Sequence, residues 1–171
     1  MDAEILISDQ ALNLGGFVLA HAAWSISDAE DGALLVPLLV VENNGERRMS
    51  HFEAETQEEA IACGFDAIDR LGDDVEVWAF AREALMKGED ESHDALVVYV
   101  WAKGMSDWIM ILQPYKPIDS EQPFRLNSQF EVVIGDATVE DDALAPLSEE
   151  IDRGINGHPQ AALMWNHWLE A

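Results

Sequence analysis

The run from Val75 to Tyr115 constrains the fold of this chain more than any other part of it. It reads VEVWAFAREALM, a charged turn KGEDESHD, ALVVYVWA, a second turn KGMSD, and WIMILQPY. Strand-like runs joined by short polar connections are the pattern of an antiparallel meander. The middle run does not alternate: Leu96, Val97, Val98, Tyr99, Val100 and Trp101 are apolar or aromatic at every position. A strand apolar on both sides must be covered on both sides. Either the chain lays helices on both faces of this sheet, or one face is left for another molecule. A three-residue second turn would pair Lys103 with Asp107 and set Ala102 opposite Trp108.

The flanking segments supply the covers. Ser8 or Asp9 caps a first helix over ALNLGGFVLAHAAW, where Leu14, Val18 and Ala22 fall four apart on one face. Gly15 and Gly16 inside it cost about 1 kcal/mol each in helix propensity, so the helix uses their bare backbone for close approach to a sheet. His21 sits in this apolar segment with no second ligand at helical spacing and reads as a core histidine. Asn44–Gly45 is the strongest hairpin signal and sets Glu42 opposite Arg47. Pro37 has no N–H for a ladder, which places its strand at a sheet edge or a bulge. Thr56 and Glu59 form a capping box for a second helix that Gly72 ends. Cys63 within it, without a basic neighbour, reads as a packing residue.

After the meander, Phe124 to Ile134 alternates cleanly, with Phe124, Leu126, Ser128, Phe130, Val132 and Ile134 on one face. A short helix follows around Pro146 to Arg153, and Pro159 opens a last one that docks by Ala161, Met164, Trp165 and Trp168. His158 leads into that helix. His158 and His167 are nine residues apart, which puts them on opposite faces and argues against shared metal binding. No repeat or linker interrupts the chain. The expectation is a single α+β domain over 1–171, a mainly antiparallel sheet of about five or six strands centred on the 75–115 meander, with helices packed against it.

Composition bears on partners. The 34 acids face 9 bases, a net charge of −25. Such a chain lacks the clustered Lys and Arg that direct nucleic-acid or anionic-membrane binding requires. No apolar stretch is long enough to span a bilayer and the N-terminus lacks a basic signal region, so a cytoplasmic location is expected. A lone cysteine excludes an internal disulfide and a multi-cysteine zinc site.

No phosphate-binding glycine loop, nucleophile elbow or HExxH motif is present, which points away from an enzyme. His51–Phe52–Glu53 matches half of a zinc-deaminase signature whose PCxxC partner is missing. The acid-rich turn at Glu89, Asp90 and Glu91 lacks the spacing of a calcium loop. No metal or cofactor is expected. The remaining excess is aromatic: the meander holds Trp78, Trp101 and Trp108, and tryptophans are common interface anchors.

These residues, with Glu89, Asp90 and Glu91, are the candidate interaction site. The leading expectation is a non-enzymatic interaction module that binds a basic protein, in the manner of an immunity protein or a nucleic-acid mimic, and self-associates through the sheet. The alternative is a small-molecule-binding protein or enzyme with a pocket between sheet and helices, using His51 or His93 beside a carboxylate.

Overall fold

The computed structural model describes residues 7–27, 35–72, 75–87, 92–105, 107–116, 123–127, 130–135 and 137–169. The chain is α+β. In order come α1 (Asp9–Ser27), β1 (Leu38–Asn43), β2 (Glu46–His51), α2 (Gln57–Asp69), β3 (Val77–Lys87), β4 (Ser92–Ala102), β5 (Ile109–Lys116), β6 (Arg125–Leu126), β7 (Glu131–Ile134), β8 (Ala137–Thr138), α3 (Asp141–Asn156) and α4 (Pro159–Trp168). The strands form an antiparallel sheet in the order β2-β1-β3-β4-β5-β7-β8, with β6 also paired to β5. The described residues form eight strands rather than five or six, because Phe124 to Ile134 divides in two and β8 is added.

Local chemistry sets the hairpins. Asn44 and Gly45 both take positive φ, 53° and 80°, as a type I′ turn requires. Glu42 then faces Arg47 and accepts its Nε–H at 3.0 Å. Pro37 lies one residue before β1, which is an interior strand between β2 and β3. The expected edge is corrected: a proline just outside the ladder removes no bond from it. The β3–β4–β5 meander forms as read from the sequence, but Val100 lies opposite Ile109, one residue away from the expected register.

Pro114 explains the division of the next run. Tyr115 faces Leu126 and Ile111 faces Val132, so four steps along β5 oppose six on the other side. Without an N–H, Pro114 cannot continue the ladder. The Gln113 side chain takes over, its Nε2 donating to the carbonyls of Pro114 at 2.9 Å and Asn127 at 3.0 Å.

The two faces are covered differently. On one, α1 lies across the sheet and joins Leu38, Val77, Ala79, Leu96, Val98 and Ile111 in the larger core. Gly15 faces the sheet, where a Cβ would come within 2.7 Å of Val100 Cγ1. Gly16 faces α3 instead. A Cβ there would fall on the Ile151 carbonyl, and one on Gly154 would fall on the Asn13 carbonyl. The two helices thus cross backbone to backbone through reciprocal glycines. On the same face Glu83 ties β5 to the segment before β1: Tyr115 Oη donates to its Oε2 at 2.5 Å and Leu35 N–H to its Oε1 at 2.7 Å. Burial and this carboxylate push the Tyr115 phenol well above its ordinary range.

The opposite face has α2, whose N-cap Thr56 accepts from Glu59 N–H at 3.1 Å. Ile68 of this helix packs onto Leu39, Phe80, Val97 and Tyr99 of the sheet. Its cover is partial: β5 alternates between buried side chains on the α1 face and half-buried ones, including Met110 and Leu112, on this face. The helix ends at Asp69 with Arg70 as its C-cap, short of Gly72, and Cys63 is exposed on it rather than packed. α3 is longer than expected, with Pro146 inside it rather than at its start. In α4, Ala161, Trp165 and Trp168 are buried and Met164 is exposed.

Candidate functional site

Trp78 of β3, Trp101 of β4 and Trp108, just before β5, line one pocket of about 500 Å³ at the C-terminal end of α2. Ile68, Leu71, Gly72, Val75, Lys103 and Asp107 line it too. The meander explains the convergence. Trp78 and Trp101 are directly cross-strand neighbours, and the β4–β5 turn brings Trp108 alongside. Trp78 is 6% exposed and Trp108 36%, so the pocket has a fixed wall and an accessible one. Trp101 Nε1–H donates to the Met105 carbonyl at 3.0 Å, which orients its ring. Trp108 stands edge-on to Trp78 at 5.9 Å and to Tyr99 at 5.4 Å between centroids. Asp107 accepts from the Trp108 N–H at 2.8 Å, fixing a carboxylate beside the exposed indole. Asp66 and Asp69 are exposed on the neighbouring helix. The sequence singled out these three tryptophans; the structure gathers them. Glu89, Asp90 and Glu91 lie outside the described residues.

A second cluster was not read from the sequence. His21 of α1 and His158, the N-cap of α4, meet with Nδ1 and Nε2 3.0 Å apart. The ring of His51, which is exposed at the end of β2, lies 6.4 Å from that of His21. Phe17 and Trp24 also pack on His158, and Arg47 stacks over Phe17 with Cζ 4.4 Å from its centroid. The protons can be assigned. Ala161 N–H donates to His158 Nδ1 at 3.0 Å, so the neutral ring carries its proton on Nε2 and donates to His21 Nδ1. His21 is therefore not an isolated core histidine. His158 does lead into its helix as expected, and is 3% exposed.

Burial lowers the pKa of both rings, and for His21 the positive charge that His158 and His51 can acquire lowers it further. The unfolded chain takes up these protons near 6.5 while the folded chain resists them. This pair therefore withdraws stability as the pH falls through 6.5 and restores it as the pH rises. His158→Asn keeps an N-cap acceptor without a titrating group. Its thermal midpoint should depend less on pH between 7 and 5 than that of the parent, by differential scanning fluorimetry. Parallel profiles would show that the histidine pair plays no part in the pH response. Carboxylate titration is common to both proteins and cancels in the difference.

Among the described residues the ring that His51 approaches is that of His21. The His93 side chain lies outside the described residues. Among the described residues no three His, Cys, Asp or Glu side chains are disposed to hold a metal ion, and no helix is long and apolar enough to cross a membrane. The His21–His158 contact joins residues 137 apart, and no spacing rule in the sequence could have announced it. No family model matches the chain, and comparison with curated proteins and with solved structures finds no match to either.

Proposed function

We propose that the protein is an interaction module that takes a cationic side chain of a basic partner protein into the pocket walled by Trp78, Trp101 and Trp108. The observation that carries this reading is the convergence of three indoles beside the Asp107 carboxylate on a chain of net charge −25. An indole face attracts a guanidinium or ammonium by about 0.5–2 kcal/mol, more as water is excluded. The surrounding acid steers a basic partner from a distance, and tryptophan in a preformed pocket is the usual centre of an interface. The partial cover that α2 gives the sheet leaves apolar surface next to this pocket for the same partner.

Lys103 lines the same pocket and opposes a second cation there. The test uses a hexa-arginine peptide followed by tryptophan fluorescence and calorimetry. Trp108→Ala should weaken binding about tenfold, equivalent to about 1.4 kcal/mol. Lys103→Ala should strengthen it about twofold to fivefold, and affinity should fall as salt is raised. Unchanged affinity in Trp108→Ala would reduce the binding to diffuse attraction by the acidic surface and refute the pocket.

A further inference from the structure

A second cavity, of about 640 Å³, lies on the other side of the sheet between β5, α3 and α4. That volume is in the range of small-molecule sites. Its origin is the interruption that Pro114 imposes. Where the ladder fails, Gln113 turns inward and the chain returns at Phe130, both of which line the cavity. α3 contributes Asp141, Leu144, Ala145, Ser148, Asp152, Ile155 and Asn156, whose three- and four-residue spacing makes one helical stripe. Trp165 of α4 closes the far side.

The chemistry of the walls is one-sided. Gln113 is 1% exposed, and its amide nitrogen is committed to the carbonyls of Pro114 and Asn127. Those two acceptors fix which end of the amide is nitrogen, so the oxygen is the end left to offer a ligand. Among the described residues that line the cavity, Asp141 and Asp152 are the only charged groups, with no Lys, Arg or His. The rest of the polar lining is a serine and two asparagines, which can donate or accept. A carboxylate-bearing ligand would meet two like charges, and a neutral one would leave them uncompensated. Asp152 is exposed at the rim of the cavity, and partial desolvation there pushes its carboxyl above the ordinary range.

We propose that this cavity is a binding site for a small organic amine. The ammonium group sits between Asp152 and the Gln113 carbonyl oxygen, and the apolar body lies against Phe130 and Trp165; Asp141, near the start of α3 and about 16 Å away along its axis, acts only through its field. The site is separate from the tryptophan pocket and does not depend on it.

The experiment titrates phenethylamine, 2-phenylethanol and phenylacetate into the full chain, followed by chemical-shift changes and calorimetry. Phenethylamine should saturate at least tenfold more tightly than the alcohol, and phenylacetate should not bind. Asp152→Asn should weaken the amine at least fivefold and leave the alcohol unchanged. Asp141→Asn, at the far end of the cavity, should weaken the amine by less than about twofold. Asp66→Asn, on α2, controls for general charge, and Trp108→Ala controls for the other pocket; both should leave amine binding intact. Equal affinity for amine and alcohol, an Asp66→Asn loss as large as that of Asp152→Asn, or no saturable binding would each overturn the proposal. Loss of the amine in Trp108→Ala would move its site to the tryptophan pocket and overturn it too. Loss of peptide binding without loss of amine binding in Trp108→Ala would leave both sites standing.

Discussion

Gly154→Ala should destabilise the protein by about 2–3 kcal/mol, although alanine is the better helix former by about 1 kcal/mol. The added Cβ would lie far inside contact distance of the Asn13 carbonyl and 2.9 Å from the Phe17 nitrogen. Both are backbone atoms of α1, so no rotamer change relieves the clash. α1 cannot retreat either, because Gly15 already holds it against Val100 and Ile111 of the sheet. α3 must move, and with it Ile151 and Ile155, both buried in the larger core. Gly16→Ala strikes the same crossing from the other side, at the Ile151 carbonyl. The two substitutions together should cost less than the sum of each alone, since one displacement relieves both. Urea unfolding measures this as a lower midpoint at unchanged slope. A Gly154→Ala protein as stable as the parent would mean that helix propensity wins and the crossing is looser than described.

The second large effect is expected on the opposite face. Phe80 is fully buried and stands among Phe52, Phe65 and Tyr99 at centroid distances of 6.1, 5.2 and 6.2 Å. Phe80→Ala should cost about 3–5 kcal/mol through lost burial and the void it leaves. Gly64 of α2 rests directly on this ring, and a Cβ there would overlap its Cε2 and Cζ atoms. Gly64→Ala alone should therefore cost about 1–3 kcal/mol, because the boxed ring has nowhere to turn. In the Phe80→Ala background the same change should be neutral or stabilising, since it fills part of the space and improves the helix. A double-mutant cycle by chemical denaturation reads this coupling. Simple additivity would show that α2 does not rest on Phe80.

These two contacts mark the boundary of what the sequence discloses. Features decided within a few residues were legible. The Asn44–Gly45 turn with its Glu42–Arg47 pair, the Thr56 cap and the His158 lead into α4 are each governed by local geometry. So was the meander, whose double-sided apolarity demanded cover on both faces. The identity of the α3 partner was not legible. Pro146 reads as a helix start because a proline within a helix forfeits a bond to the fourth preceding carbonyl, at about 3 kcal/mol. Yet α3 runs from Asp141 through it, held by the docking of Ile151, Gly154 and Ile155 on α1. That tertiary gain outweighs the local cost, and no window of sequence contains both terms. The candidate sites divide in the same way. Trp78, Trp101 and Trp108 belong to adjacent strands, so their meeting follows from the meander. The Gln113 cavity depends on Pro114 breaking a ladder whose other strand had seemed continuous, and the His21–His158 pair depends on helices from the two ends of the chain.

The margins of the sheet bear on how copies of this molecule meet. Among the described residues β8 ends one side with two residues, too few hydrogen-bonding groups to template another strand. β2 ends the other, exposed at all of its six positions, and carries Glu46, Arg47, Arg48 and His51 along its length. Charged and very short margins discourage strand-to-strand addition, the route by which open sheets grow into aggregates. A high negative charge adds repulsion between whole molecules. Lateral growth of the described sheet is thereby opposed twice, by the chemistry of its margins and by the charge of the whole molecule.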